Sequence, residues 1–212
     1  MPNAYSALPW QELAYSGIIP LDMDLANLAQ AIQRLDVAGF KLINSGMASK
    51  ALDTPMLVAT ALGAGAFQTG VSLALIAVGL IKERLNLRLA GYAGLAAFAV
   101  SGILVQVGKL TWHRPRPLLS LFDVRVVGDP LFTQSFPSGH TMTAFAVTFA
   151  WAACLPRLRW PLIALAFATG LSRVYLGVHY PLDVAYGAAL GALTGALAAR
   201  PFRARLQANE QA

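Results

Sequence analysis

Long apolar stretches without a charged residue dominate the hydropathy pattern of this chain. Five such runs occur, at residues 56–81, 89–108, 141–155, 160–171 and 184–199. A helix that crosses a bilayer needs about 20 mainly apolar residues, with roughly 17 to 25 observed. The first two runs are long enough as they stand. The last three become long enough only when a helical turn that carries a polar residue is added to one end. The pattern therefore predicts an all-α fold with five membrane-spanning helices.

The N-terminal part of the chain has a different pattern. Residues 1–20 show no clear periodicity and are predicted to form an irregular arm at the membrane surface. Over residues 21–42, apolar residues recur at spacings of three and four, which indicates an amphipathic helix. Such a helix lies in the membrane interface or, as an equally good alternative, packs on the bundle outside the membrane. The predicted domains are an N-terminal arm with this helix at residues 1–55 and a transmembrane core at residues 56–205.

The composition agrees with a membrane protein. Of the 212 residues, 57% are hydrophobic and 12% are charged, whereas about a quarter of the residues in a soluble protein are charged. The net charge of +6 comes from bases scattered around apolar segments, without a soluble basic face, so nucleic-acid binding is not indicated. The single cysteine, Cys154, lies within an apolar run and is expected to pack in the core.

Small residues and tryptophans predict how the helices meet each other and the membrane. One glycine series recurs every four residues, at Gly187, Gly191 and Gly195. This spacing favours the close approach of two helices, with a homodimer contact as the alternative. Three tryptophans lie near the ends of predicted spans: Trp112, Trp151 and Trp160. That position is typical of an aromatic belt at the membrane surface.

Basic residues in the short loops predict the orientation of the spans. They follow the first run, separate the third from the fourth, and follow the last: Lys82, Arg84, Arg88, Arg157, Arg159, Arg200, Arg203 and Arg205. By the positive-inside rule, this face of the bundle is cytoplasmic. The opposite face also carries bases, so the rule holds only if those bases have another role.

Three polar clusters interrupt the apolar pattern on that opposite, outward face. With five alternating spans, residues 109–140 and 172–183 lie on the same side of the membrane. The clusters are KLTWHRPRP from Lys109, PSGHT from Pro137, and SRVYLGVHYPLD from Ser172. We therefore expect their side chains to converge at one membrane surface.

The second and third clusters contain groups that suit phosphate chemistry. His179 and Asp183 are four residues apart, so the carboxylate can accept a hydrogen bond from Nδ1 and leave Nε2 free as a base or nucleophile. Ser138 is a natural N-cap, and the amides from Gly139 onward form an anion site at a helix start. Together with the clustered cations, these groups describe a phosphate pocket with a nucleophile on one side and an acid on the other.

Three motifs, K-x6-RP, PSGH and SR-x5-H-x3-D, occur in that order between Lys109 and Asp183. Together they resemble the tripartite signature of the type 2 phosphatidic acid phosphatase superfamily, which also includes vanadium haloperoxidases and glucose-6-phosphatase. The resemblance implies a bundle of about five or six transmembrane helices that hydrolyses a phosphomonoester or diphosphate through a phosphohistidine. It implies that no metal or other cofactor takes part.

The resemblance also implies a role for each matched residue. His179 is the nucleophile, Asp183 orients it, and His140 is the general acid. Five residues bind the phosphate: Lys109, Arg116, Ser138, Gly139 and Arg173. His113 and Arg114 lie in the variable part of the first motif and are expected to contact the substrate or lipid headgroups.

Two further features bear on the resemblance. Membrane members of the family commonly have six spans, whereas here the amphipathic helix at residues 21–42 replaces the first. In addition, the aspartates near the motifs form no recognisable carboxylate cluster for magnesium: Asp123, Asp129 and Asp183.

The leading interpretation is an integral lipid phosphatase of the inner (cytoplasmic) membrane, with its active site on the periplasmic or outer face. Undecaprenyl diphosphate, phosphatidylglycerol phosphate, phosphatidic acid and a lipid A phosphate suit the same residues, and specificity is expected in residues 118–136 and the N-terminal helix. One alternative is a membrane protein that binds or transports lipid phosphates without turnover, although binding alone would not need two histidines. A vanadate-dependent haloperoxidase is the third, but those enzymes are soluble.

Overall fold

The computed structural model describes residues 23–211, and every regular element in that range is helical. The predicted all-α class is therefore confirmed for the described chain, while the irregular arm predicted at residues 1–20 lies outside it. The chain divides into two compact units, Met1–Ala38 and Gly39–Ala212. The boundary expected between residues 55 and 56 stays a prediction.

Helix α1, Met23–Lys41, is the amphipathic helix that the sequence predicts at residues 21–42. It ends in a single π-helical turn, Leu42–Gly46, whose Asn44 is fully buried. The location of α1 in the membrane interface stays a prediction.

The apolar run at residues 56–81 is not one straight span. It is divided between α2, Lys50–Leu62, and α3, Gly65–Ile81, which are bent by 56° relative to each other. Helix α2 ends where Ala64 becomes extended. The preceding Gly63 lies so close to Thr169 that a Cβ there would collide with the threonine side chain. The bend lets α2 pack against the helix that carries Arg173, while α3 packs against the helix that follows it, Leu85–Thr111.

The other helices form the core of the second unit. They are α4 (Leu85–Thr111), the short α5 (Pro117–Ser120), α6 (Gly139–Cys154), α7 (Arg159–Tyr175), α8 (Pro181–Ala198) and α9 (Arg200–Gln211). Helix α6 is central: 12 of its 16 residues are buried, and it packs against α4, α7 and α8. Cys154 lies in this core, as predicted.

Close packing of α8 on α6 explains the glycine series. A Cβ on Gly187 would lie 2.9 Å from the carbonyl oxygen of Ser138, and a Cβ on Gly191 or Gly195 would collide with backbone of α6. The predicted approach of two helices is confirmed. All three glycines are buried, so they offer no surface for the alternative homodimer contact.

Two of the three tryptophans predicted for the aromatic belt are exposed, and their location at the membrane surface stays a prediction. Trp112 and Trp160 are 44% and 69% exposed, whereas Trp151 is 6% exposed and packs in the core. The expectation for Trp151 is wrong because α4 presents Gly94 to it, and the indole occupies the space that a larger side chain would fill.

The outer surface of the bundle is apolar, as a membrane-embedded protein requires. Large side chains such as Ile81, Ile103 and Leu110 are 65–76% exposed. Helices α4 and α8 are each long and apolar enough to cross a membrane, and the bent pair α2 and α3 makes a third candidate. Helices α6 and α7 have 16 and 17 residues, and the count of five or six spans stays a prediction.

Candidate active site

Four helix ends meet at one end of the bundle and carry the residues singled out by the sequence. Lys109 lies in the last turn of α4, His140 in the first turn of α6, Arg173 in the last turn of α7, and Asp183 in the first turn of α8. The three sequence motifs, which are separated along the chain, therefore lie on one side of the fold.

His179 lies just before α8, whose N-cap is Tyr180. The imidazole is 2% exposed, and its Nδ1 lies 3.6 Å from Oδ2 of Asp183. The predicted approach of the two side chains is present, but the distance is longer than a direct hydrogen bond. The hydroxyl of Ser135 lies between them, 3.4 Å from Nδ1 and donating to Oδ2 at 2.5 Å. Sequence reasoning missed Ser135, which lies outside the three motifs.

The Asp183 carboxylate is completely buried and accepts three hydrogen bonds. Besides Ser135, Arg114 donates from Nη1 to Oδ1 at 2.7 Å, and the backbone N–H of Tyr180 donates to Oδ2 at 2.9 Å. The Arg114 guanidinium also lies 4.2 Å from the centre of the Tyr180 ring. A buried carboxylate needs a charged partner, and Arg114 is that partner for Asp183. The expected contact of Arg114 with substrate or headgroups stays a prediction. Its neighbour His113 is exposed.

Arg116 is the cation nearest to the predicted nucleophilic atom. The side chain is 3% exposed, and its Nη1 lies 3.3 Å from Nε2 of His179 while donating to the carbonyl of Val178 at 2.7 Å. On its other edge, Nε donates to the carbonyl of Thr133 at 2.9 Å. These bonds fix the guanidinium plane beside the imidazole.

Arg173 is held from α2, the helix that the bend at Gly63 directs to this end. Its Nη1 donates to Oγ1 of Thr60 at 2.6 Å. Its Nε is buried and has no hydrogen-bond partner among the residues that the structure describes. An unpaired buried donor of this kind fits an anionic ligand. No sequence motif marks Thr60.

The start of α6 has the predicted form. Ser138 is the N-cap, and Gly139 opens the helix. The Ser138 hydroxyl lies 2.9 Å from Oγ1 of Thr141 and does not cap a backbone amide. The first amides of a helix have no intrahelical acceptor and carry partial positive charge, so this end of α6 can receive an anion.

The site is strongly positive. The charges of Lys109, Arg116 and Arg173 lie close enough to repel one another, and all three oppose a positive charge on the His140 imidazole. Burial lowers the pKa of His179 to about 4, an effect that Asp183 opposes and that the charge of Arg116 increases. The imidazole is therefore uncharged at neutral pH, as a nucleophile must be. Within residues 23–211, no group of three or more His, Cys, Asp or Glu side chains could hold a metal.

A second polar cluster anchors the segment at residues 118–136 beside the site. Nη2 of Arg125 lies 2.6 Å from both carboxylate oxygens of Asp53, which also accepts from the Tyr175 hydroxyl at 2.7 Å. Asn44 donates to the carbonyl of Arg125 at 2.7 Å and to that of Tyr175 at 2.8 Å. The hydrogen bond with Asp53 raises the pKa of Arg125. This cluster ties the loop to α2 and to the end of α7.

Comparison with known proteins finds the same family from sequence and from structure. The family model described as the PAP2 superfamily matches residues 90–206. The undecaprenyl-diphosphatase BcrC of Bacillus subtilis is 31% identical over 54% of this chain and 56% of its own length. The decaprenylphosphoryl-5-phosphoribose phosphatase of Mycobacterium tuberculosis is 36% identical over 80% of this chain and 92% of its own length.

A solved structure gives the same result. The crystal structure of Aquifex aeolicus LpxE superimposes with a TM-score of 0.65 at 31% identity, and the match covers 78% of this chain and 95% of that one. The chain spans only about half the length of the BcrC relative.

Proposed function

Because the chain belongs to the PAP2 superfamily, we propose that it is an integral membrane phosphatase that hydrolyses a lipid phosphate or diphosphate through a phosphohistidine. One observation carries the proposal: the buried imidazole of His179 lies with Nε2 beside Arg116 and Nδ1 beside Asp183. A group that only bound phosphate would not need an imidazole held in this way.

In the proposed first step, Nε2 of His179 attacks the phosphorus, and the bond to the leaving oxygen breaks. His140, which takes up a proton when the anionic substrate offsets the surrounding cations, gives that proton to the leaving oxygen. The imidazole becomes cationic as the P–N bond forms, and Asp183, fixed by Arg114 and Ser135, stabilises that charge. In the second step, His140 takes a proton from water, which attacks the phosphorus and releases His179 and phosphate.

The phosphoryl oxygens are held by the groups that carry positive charge at this end of the bundle: Lys109, Arg116, Arg173 and the backbone at Ser138 and Gly139. Catalysis of phosphoryl transfer consists mainly of positioning and electrostatic stabilisation. The free Nε donor of Arg173 supports this assignment. We therefore propose that hydrolysis needs no metal.

An isoprenoid lipid phosphate or diphosphate is the first substrate class to test. Two relatives have names that include polyprenyl lipids, an undecaprenyl-diphosphatase and a decaprenylphosphoryl-5-phosphoribose phosphatase. Phosphatidylglycerol phosphate, phosphatidic acid and a lipid A phosphate suit the same catalytic residues. Residues 118–136, anchored through Arg125, and the N-terminal helix are proposed to select among them.

We place the active site on the outer face of the inner membrane. The catalytic residues lie at one end of the bundle, and Arg84, Arg157 and Arg200 lie at the other ends of the same helices. The positive-inside rule assigns that other end to the cytoplasm. The test is Gly128→Cys, at an exposed loop position, in a chain whose own Cys154 is buried. An impermeant thiol reagent should label intact cells, and labelling only after lysis would contradict the assignment.

The function is tested by phosphate release from a panel of these lipid phosphates in detergent, with and without chelator. Turnover should survive the chelator and be inhibited by vanadate. If magnesium is required to restore activity, the mechanism is wrong. Saturable lipid-phosphate binding without any release would instead support the alternative of a binding or transport protein. A homodimer, the other predicted partner, is tested by the mass of the detergent complex.

A further inference from the structure

A cavity of about 1150 Å³ opens at the end of the bundle opposite the candidate active site. It lies among the C-terminal ends of α6 and α8, the start of α7 and helix α9, and includes Cys154, Arg159 and Ala199 in its lining. The candidate active site lies at the N-terminal ends of α6 and α8. With 16 residues in α6, the two sites are about 24 Å apart at 1.5 Å per residue. The cavity is therefore a separate site.

The lining of the cavity combines positive charge with apolar walls. Four exposed arginines surround it: Arg157, Arg159, Arg200 and Arg203. Its walls include Phe149, Ile163 and Leu206, and none of the described residues that line it is acidic. A soluble anion would use the charges alone, whereas an amphiphile with an anionic headgroup would use both features.

The positions of the arginines around this apolar cavity are not explained by the orientation of the spans alone. The positive-inside rule requires bases in the short loops, but it does not require that bases from the loop before α7 and from α9 surround one concave apolar surface. Basic pockets between membrane helices are suited to anionic headgroups. The guanidinium of Arg159 also lies 4.7 Å from the ring centre of Trp160, which is 69% exposed. Such an aromatic side chain fits the depth of lipid headgroups.

We propose that this cavity binds an anionic glycerophospholipid, with its phosphate among the arginines and an acyl chain along the apolar wall. Arg157 and Arg203 are the best residues to change because both are exposed and lie on different elements. The matched control is the pair Lys82 and Arg84, which are exposed at the same end of the bundle outside the cavity lining.

The test is native mass spectrometry of the full chain in detergent, titrated with phosphatidylglycerol or phosphatidylcholine. The double variant Arg157→Gln/Arg203→Gln should bind phosphatidylglycerol roughly 30-fold more weakly, since each basic side chain near an anionic surface contributes about fivefold. Lys82→Gln/Arg84→Gln should bind as the wild type does. Circular dichroism checks that the variants keep their helices.

A second variant keeps the proposal testable without a change of charge. Ala196→Trp places bulk in the cavity from an exposed position of α8 and should also weaken phosphatidylglycerol binding. Equal binding of phosphatidylcholine, or an equal loss in the control pair, would show that the site is not selective for this lipid. Displacement of the lipid by inorganic phosphate would identify a soluble-anion site instead, and unchanged binding in both cavity variants would overturn the proposal.

Discussion

The Nη1 atom of Arg114 lies 2.7 Å from Oδ1 of Asp183, a carboxylate with no exposed surface. The partner of the proposed nucleophile is therefore itself held by a charged group. Because Ser135 and the Tyr180 amide bind the other oxygen, the carboxylate has one orientation. Because its guanidinium binds Asp183, we propose that Arg114 acts on the reaction by positioning that carboxylate.

Replacing Arg114 by Gln should lower kcat roughly 10- to 100-fold, by analogy with the loss seen when the groups that orient metal-binding histidines are removed. KM should change little, because Arg114 is not placed on the phosphate. Arg114→Lys should recover part of kcat, since it restores the charge without the planar geometry. Steady-state kinetics on one lipid phosphate measure both constants, with Arg84→Gln, the same change at an exposed position at the other end of the bundle, as the control. A rise in KM with unchanged kcat would show that Arg114 binds substrate instead.

Thr60→Val should raise KM for every phosphate substrate. The hydroxyl of Thr60 accepts from Nη1 of Arg173 at 2.6 Å, and without it the guanidinium loses its fixed direction. A hydrogen bond to a charged group contributes about 1.5–3 kcal/mol, which corresponds to a change of roughly 10-fold or more. Thr54→Val, at an exposed position of the same helix, should leave KM unchanged. If both variants behave alike, Arg173 is positioned by other contacts.

His179 should remain uncharged well below the pH at which a free imidazole gains its proton, about 6.5. Its pKa of about 4 follows from burial, with Arg116 adding to the effect. The chain has three histidines, so isotope-labelled protein gives few imidazole signals, and His179→Asn identifies the relevant one. That signal should show the neutral form at pH 5.5. Titration near 6.5 would mean that the imidazole is solvated in the membrane-embedded protein.

The sequence predicts which candidate site residues meet better than it predicts the contacts that hold them in place. Lys109, His140 and Asp183 come together because the motifs fall at helix ends, and the alternation of the apolar runs predicts that those ends lie on one side. Thr60 and Ser135 carry no such signal. Their roles depend on the bend at Gly63 and on the path of a loop, both of which are set by tertiary packing. Trp151 illustrates the same limit, since only the glycine opposite it makes a buried indole possible.

Gly191→Ala should destabilise the protein, because a Cβ there meets the carbonyl oxygen of Met142 and lies 3.0 Å from Cβ of Phe145. Overpacking of this kind costs about 1–3 kcal/mol. Gly102→Ala is the matched control, since nothing lies within 4 Å of its added Cβ. There the better helix propensity of alanine should preserve or slightly raise stability. Thermal unfolding in detergent compares the two, and an equal effect would show that α6 and α8 can separate without cost.

The two catalytic histidines should respond differently to the leaving group. In the proposed mechanism His179 forms the covalent bond, so His179→Ala should abolish turnover of every substrate. The same mechanism assigns to His140 the protonation of the leaving oxygen, which matters most for a poor leaving group such as a lipid alkoxide. General acid catalysis contributes roughly 10²- to 10⁴-fold. His140→Ala should therefore lose most of its lipid activity but keep much of its rate of phosphorylation by an activated aryl phosphate, whose phenolate leaves without a proton.

His140→Ala should also show a burst of phenolate followed by slow turnover with the aryl substrate. The reason is that the same imidazole activates the water that cleaves the phosphohistidine, and without it the intermediate accumulates. Rapid-quench measurement of phenolate and of acid-labile, alkali-stable phosphoprotein follows both steps, and the burst should equal the amount of enzyme. His179→Ala should show neither signal. The proposed roles are wrong if both variants lose activity towards the lipid and the aryl substrate in equal proportion and His140→Ala gives no burst.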